Sequence, residues 1–306
     1  QQAVALYDLL NGTTPVSYTD LENAFYTDNN NLAKKIAEND ATNLYDSAQV
    51  HGHIIGLLND YATASNNLST TASAGTAGTL DGYQLTARGW EVDQQYAKML
   101  IGALCLEQVC YDYLTKMDVD NTSRIAYDGQ VCTKREHYYD EGYGYVYGLD
   151  DNITDSEIKN SLLLGKYLNK HTGPGAASGI NYRDRVYDAF KKGRQALVDT
   201  CTVVLNAEIN TIFVSLSKVV AWHAQDYLNK ANGNIGKAAF HHDISEAWGF
   251  IYSLQFTKDA DGNPMFTTAE VTGWLSELDQ GSGAWDIQSS TLVDIKNAIN
   301  SRVEFN

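Results

Sequence analysis

HDISEAWGFIYSL, residues 242–254, carries Ile244, Ala247, Trp248, Phe250, Ile251 and Leu254 in an arrangement that reads as a helix with one face in a core. A second stretch, HYYDEGYGYVYGL at 137–149, aligns to it without a gap. His137 falls on His242, Glu141 on Glu246, Gly144 on Gly249, Tyr147 on Tyr252 and Leu149 on Leu254. Alone, the second stretch is ambiguous, because Tyr143, Tyr145 and Tyr147 alternate with the period of a strand. The match predicts a helix there too. Upstream, Asp112-Tyr113-Leu114-Thr115-Lys116 matches Asp226-Tyr227-Leu228-Asn229-Lys230 in the same order. Two ordered matches predict a duplicated helical unit packed about a pseudo-twofold axis.

Outward from these segments the pattern stays helical. Helices are expected over 18–38, 45–64, 90–117, 131–149, 238–256, 268–277 and 291–302, with capping-box pairs at Thr154/Glu157 and Thr267/Glu270. Residues 183–231 contain one glycine and no proline, which predicts one very long helix or two broken near Asn206. The small, polar run at 65–85 reads as a long surface loop, 118–129 as a polar connector and Asp259–Pro264 as a turn. The expected fold is therefore all-α, a helical bundle of two pseudo-symmetric repeats within a single domain over 1–306. The repeat units span about 40–150 and 180–256, and C-terminal helices fill 257–306.

With 22 Lys and Arg against 38 Asp and Glu, the net charge of −16 repels nucleic acid and anionic headgroups. No uninterrupted apolar run reaches the ~18–20 residues that span a bilayer, so no transmembrane segment is expected. The opening QQAVALYDLL lacks the basic region of a signal peptide, so any export signal is expected to be absent from this sequence. Gly-x-Gly-x-x-Gly, P-loop, Gly-x-Ser-x-Gly and His-Glu-x-x-His motifs do not occur.

His137 with Glu141, and His242 with Glu246, are each four apart and project from one helix face, so each pair can offer an imidazole nitrogen and a carboxylate oxygen to a metal. Four such ligands suit zinc, iron or copper better than calcium or magnesium. The competing reading is that each His and Glu bond one another, or satisfy buried groups where the repeats meet. The tyrosines at 138, 139, 143, 145 and 147 read as core, and His51 and His53 as surface. Cys110 and Cys132 suit a disulfide between consecutive antiparallel helices if the protein is extracytoplasmic, with Cys105 and Cys201 a weaker second pair.

The blocks ASAGTAGTL, GWEVDQQYAKMLIGAL, HYYDEGYGYVYG, YRDRVYDAFKKGRQAL and HHDISEAWGFIYSL, in that order, resemble a bacterial family catalogued as domain of unknown function 4856, over roughly residues 40–306. The resemblance implies an exported or lipid-anchored surface protein, distantly similar to the helical imelysin group with its Gly-x-His-x-x-Glu signature. The glycine and glutamate places of that signature hold Arg135 and Asp140 around His137, and Phe240 and Ser245 around His242. The expected function is an extracytoplasmic helical binding protein (secreted, periplasmic or cell-surface) for a metal ion or a metal complex such as iron. A structural or surface-interaction protein is the alternative, and an imelysin-like peptidase comes third.

Overall fold

The computed structural model describes residues 2–26, 32–39, 45–116, 118–127, 130–148, 163–173 and 176–305. Four helices open the chain: Gln2–Leu10 (α1), Tyr18–Tyr26 (α2), Leu32–Lys35 (α3) and Ser47–Ser65 (α4). A hairpin of Gly78–Leu80 (β1) and Tyr83–Leu85 (β2) leads into Val92–Leu100 (α5). This helix continues through π-helical turns at Ile101–Leu106 and Gln108–Asp112 and a 3₁₀ turn at Tyr113–Thr115. A second hairpin, Ile125–Tyr127 (β3) and Gln130–Cys132 (β4), precedes Lys134–Tyr147 (α6), Leu164–Asn169 (α7), Tyr182–Val198 (α8) and Thr202–Asn234 (α9). Ala238–Ser253 (α10), Thr268–Leu278 (α11) and Ser289–Asn300 (α12) complete twelve α-helices among the described residues. The class is all-α. The Thr154/Glu157 capping pair lies outside the described residues.

The core is organised around α5, all of whose residues are buried, as are those of both π-helical stretches. Helix α10 lies against α5 on one side and α9 on the other, while α1 and α4 also pack on α5. Helix α9 is sandwiched among α7, α8, α10 and α12. A single buried apolar cluster runs from Ala3 to Val303. By length and composition α9 could cross a bilayer, with a window of mean hydropathy 1.4, but half of that window is buried inside the fold. Polar residues interrupt its apolar positions, which is why no continuous run is visible in the sequence.

Three expectations are corrected. The break in the long helical region falls at Asp199–Cys201, before Asn206, where Thr200 takes a left-handed φ of 55° and the Cys201 N–H returns to the Ala196 carbonyl at 2.8 Å. The 65–85 stretch contains an ordered hairpin turned by Asp81-Gly82, with φ values of 48° and 92°, as the strand twist demands of a two-residue turn. The 118–129 connector contributes β3 of the second hairpin, again around an Asp-Gly pair, whose turn lies outside the described residues. The capping box at Thr267/Glu270 forms as expected.

Candidate functional site

Ser245, Gly249 and Ser253 recur every fourth residue on α10 and face α5. A side chain at Gly249 would stand 2.5 Å from the Lys98 Cβ, and one at Gly102 would stand 2.5 Å from the Ser253 Cα. The two backbones therefore approach as only glycine allows. Ser245 Oγ accepts the otherwise orphaned Glu91 N–H at the start of α5, at 2.9 Å. Ser253 Oγ donates to the Lys98 carbonyl at 2.7 Å and accepts the Gly102 N–H at 2.8 Å. Those are the two ends of one α-helical i to i−4 bond. The hydroxyl stands in its place, and α5 passes from α to π winding there, as expected when a side chain enters the ladder.

This close pairing buries charge. Lys98 Nζ lies 2.8 Å from Glu246 Oε1, with side chains 5% and 8% exposed, and the Tyr167 hydroxyl donates to the same carboxylate at 3.3 Å. Lys98 also bonds Gln94, whose amide donates to Asp93 at 2.7 Å. His242 is held at 2.6 Å by Glu91 and lies 3.6 Å from Glu246. Burial pushes the Glu246 carboxyl up, but Lys98, His242 and the Tyr227 hydroxyl together hold the pKa below the usual value. Burial pulls the His242 imidazole down, and the Glu91 and Glu246 carboxylates together more than reverse this. Asp93 is pushed up to about 7, first by burial and then by Glu91, with Lys98 opposing.

His242 and Glu246 thus meet as the sequence predicts, within a network that also takes in Glu91, Asp93 and Lys98. His137 and Glu141 form a separate pair on α6, 3.7 Å apart and partly exposed. The four residues do not converge, and among the described residues no group of three or more His, Cys, Asp or Glu is placed to hold a metal ion. The shared centre fails because the matched helices sit in different surroundings: α10 packs on α5, α9 and α11, and α6 on α7, α8 and the turns after α5. Gly249 meets backbone, whereas nothing lies within 4 Å of a side chain at Gly144. Local correspondence is nonetheless close. Lys116 pairs with Asp112 at 2.7 Å over the Tyr113 ring, and Lys230 pairs with Asp226 at 2.8 Å over the Tyr227 ring.

All four cysteines are free, so Cys110 and Cys132 are not bonded. Cys110 faces Lys258 and Glu107, whereas the charged neighbours of Cys132 are Asp140, Glu136, Arg194 and Arg124. The two thiols share none of these neighbours. The tyrosines of α6 pack as core: Tyr143 lies 4.7 Å from Tyr147 and 5.4 Å from Phe190, centroid to centroid.

Beside the α5–α10 pair, α4, α5, α10 and α11 line an open cavity of about 260 Å³, with Gln49, His53, Asp60, Thr272, Ser276 and Asp279 exposed around it. Trp248 stacks on Tyr252 at 5.4 Å, and His53 accepts or donates a 2.9 Å bond with the Tyr252 hydroxyl. Desolvation on the side of the ring that faces the protein lowers the His53 pKa. Asp60 is raised by burial and then by Asp279, with Arg88 opposing. Asp279 accepts from Arg88 and from the Trp90 indole, both at 2.9 Å. Gln95, 3% exposed, lines the cavity with a carboxamide that has no hydrogen-bond partner among the described residues. Sequence reasoning missed this site. His53 is exposed, as the sequence suggests, and the signal that could have found Gln95 is the crowding of Glu91, Asp93, Gln94, Gln95 and Lys98 at the cap and along one helix beside a long apolar run.

A family model described as Domain of unknown function (DUF4856) matches residues 7–306. No curated protein and no solved structure matches the chain.

Proposed function

Since the chain belongs to the DUF4856 family, whose description assigns no activity, we propose from the site itself that this is a binding protein. It holds a small molecule in the cavity between α4, α5, α10 and α11 and acts outside the cytoplasm, the location its family resemblance implies. The observation that carries the reading is Gln95. Its carboxamide makes no hydrogen bond to the described residues and opens into the cleft, so its donor and acceptor are available to a ligand in place of water. Ligand sites commonly combine such a concave space with a few convergent polar groups.

The metal expectation loses its four-ligand basis, because two of the four residues lie elsewhere. His242 and Glu246 act instead in seating α5 against α10 through Glu91 and Lys98.

The test is thermal-shift screening against neutral sugars, amino acids, nucleosides and carboxylic acids, on the wild type and on Thr272→Trp, which places an indole at the cavity mouth. At least one class is expected to raise the wild-type Tm and to lose that effect in the variant. A panel that shifts neither protein, or both equally, would overturn the reading.

A further inference from the structure

The cavity's lining restricts the chemistry of its occupant, and the inference drawn from it rests on the binding role proposed above. Its cation, Arg88, is already committed: it bonds Asp279 at 2.9 Å and also donates to the carbonyls of Asp279 and Gly281. An anionic ligand such as a phosphate ester would find no free counter-charge among the lining residues, and a zwitterion would find only half of what it needs. A purely apolar ligand is disfavoured by the opposite count, because Leu57 and Leu275 are the aliphatic residues of a lining otherwise made of aromatic, amide, hydroxyl and charged side chains. An apolar ligand would leave the carboxamides of Gln95 and Gln255, the two buried polar side chains of the lining, without the bonds that water gives them.

A neutral polyol with one apolar face meets both conditions. Aromatic rings can cover the C–H face of a pyranose, and carboxamides offer a donor and an acceptor side by side, the spacing of adjacent ring hydroxyls. Trp248, partly exposed and stacked on Tyr252, supplies the ring system. Gln95 supplies the unpartnered carboxamide, held rigidly because its helix is packed on every side. Gln255 supplies a second, 5% exposed, which spends one N–H on the Tyr252 carbonyl at 2.9 Å. The volume of about 260 Å³ falls just below the usual range of small-molecule pockets and suits one sugar unit rather than a chain.

We propose that the cavity is a saccharide-binding site, in which Trp248 carries the apolar face of one neutral pyranose and Gln95 and Gln255 read its hydroxyls.

The experiment titrates the full chain with methyl glucoside, galactoside and mannoside, following tryptophan fluorescence and binding heat, with a neutral amino acid amide and a nucleoside in parallel. At least one glycoside is expected to bind the wild type and to bind Gln95→Met and Trp248→Ala at least ten-fold more weakly, with circular dichroism showing both variants folded. Trp248→Phe, which keeps a ring, should recover part of the loss and covers the case in which Trp248→Ala does not fold. If no glycoside binds while the amide or nucleoside does, and Thr272→Trp abolishes that binding, the saccharide assignment falls and the binding role stands. If nothing binds, both fall. Glycoside binding that is unchanged in Gln95→Met and in the folded Trp248 variants overturns the placement.

Discussion

Lys98 and Glu246 are held together by mutual need, since each is a charge taken out of water. Lys98→Met leaves the Glu246 carboxylate buried with only Tyr and His neighbours, and the expected loss in urea unfolding is roughly 3–5 kcal/mol. The double variant Lys98→Met/Glu246→Leu should recover much of it, because the cost lies in the unpaired charge. Equal losses in the single and double variants would refute this account. Asp93 behaves in the opposite sense. Its folded pKa, about 7, stands above the ordinary carboxylate value. Between those values the folded chain keeps a proton that the unfolded chain has released, so stability falls as pH rises through that window. Asp93→Asn removes this penalty, and its Tm advantage over the wild type is expected to be larger at pH 8 than at pH 5. Parallel Tm curves for the two proteins would show that Asp93 is not desolvated as described.

At the scale of elements, the matched glycines give the sharpest contrast. Gly249→Ala drives a methyl group into Lys98 and the Gln95 carbonyl and is expected to destabilise by about 1–3 kcal/mol. Gly144→Ala adds a better helix former in open space and is expected to stabilise by roughly 0.5–1 kcal/mol. Chemical unfolding of the two variants checks both signs, and equal effects would mean that the helices occupy equivalent places after all. This contrast also marks what could be read from the sequence. Helix positions follow from hydrophobic spacing and caps, which are local, so α4, α6, α10, α11 and α12 were all legible within a few residues. The two hairpins were equally local, each announced by Asp-Gly, but their strands are three residues long and too short to show a period. The site was legible only in part. His242 and Glu246 share a helix face, whereas their partners Glu91 and Lys98 lie about 150 residues away, where no spacing rule connects them.

For the whole molecule, the continuity of the buried cluster from Ala3 to Val303 predicts one cooperative unfolding event. Far-ultraviolet circular dichroism and tryptophan fluorescence should give coincident urea transitions. Separated transitions would show that the segments around α6 and α10 fold as independent units. The thiols report on the same question. Cys201 is exposed, whereas Cys105, Cys110 and Cys132 are buried, with Cys105 and Cys110 pushed up to about 12 by burial. A thiol reagent is therefore expected to label one cysteine in the native protein and four after unfolding. Fewer than four in denaturant without reductant would reveal a disulfide.

The pairing of α5 with α10 has a consequence for synthesis. Glu91 waits for Ser245, and Gly102 for Ser253, across separations of 154 and 151 residues. At ribosomal speeds of about 5–20 residues per second, α5 leaves the exit tunnel on the order of ten seconds before the helix that will cover it exists. A fully apolar segment would spend that interval as an aggregation hazard. Glu91, Asp93, Gln94, Gln95 and Lys98 keep the nascent segment hydrated until α10 arrives. The charges that must later be neutralised inside the fold are what keep its central helix soluble while the chain is still being made.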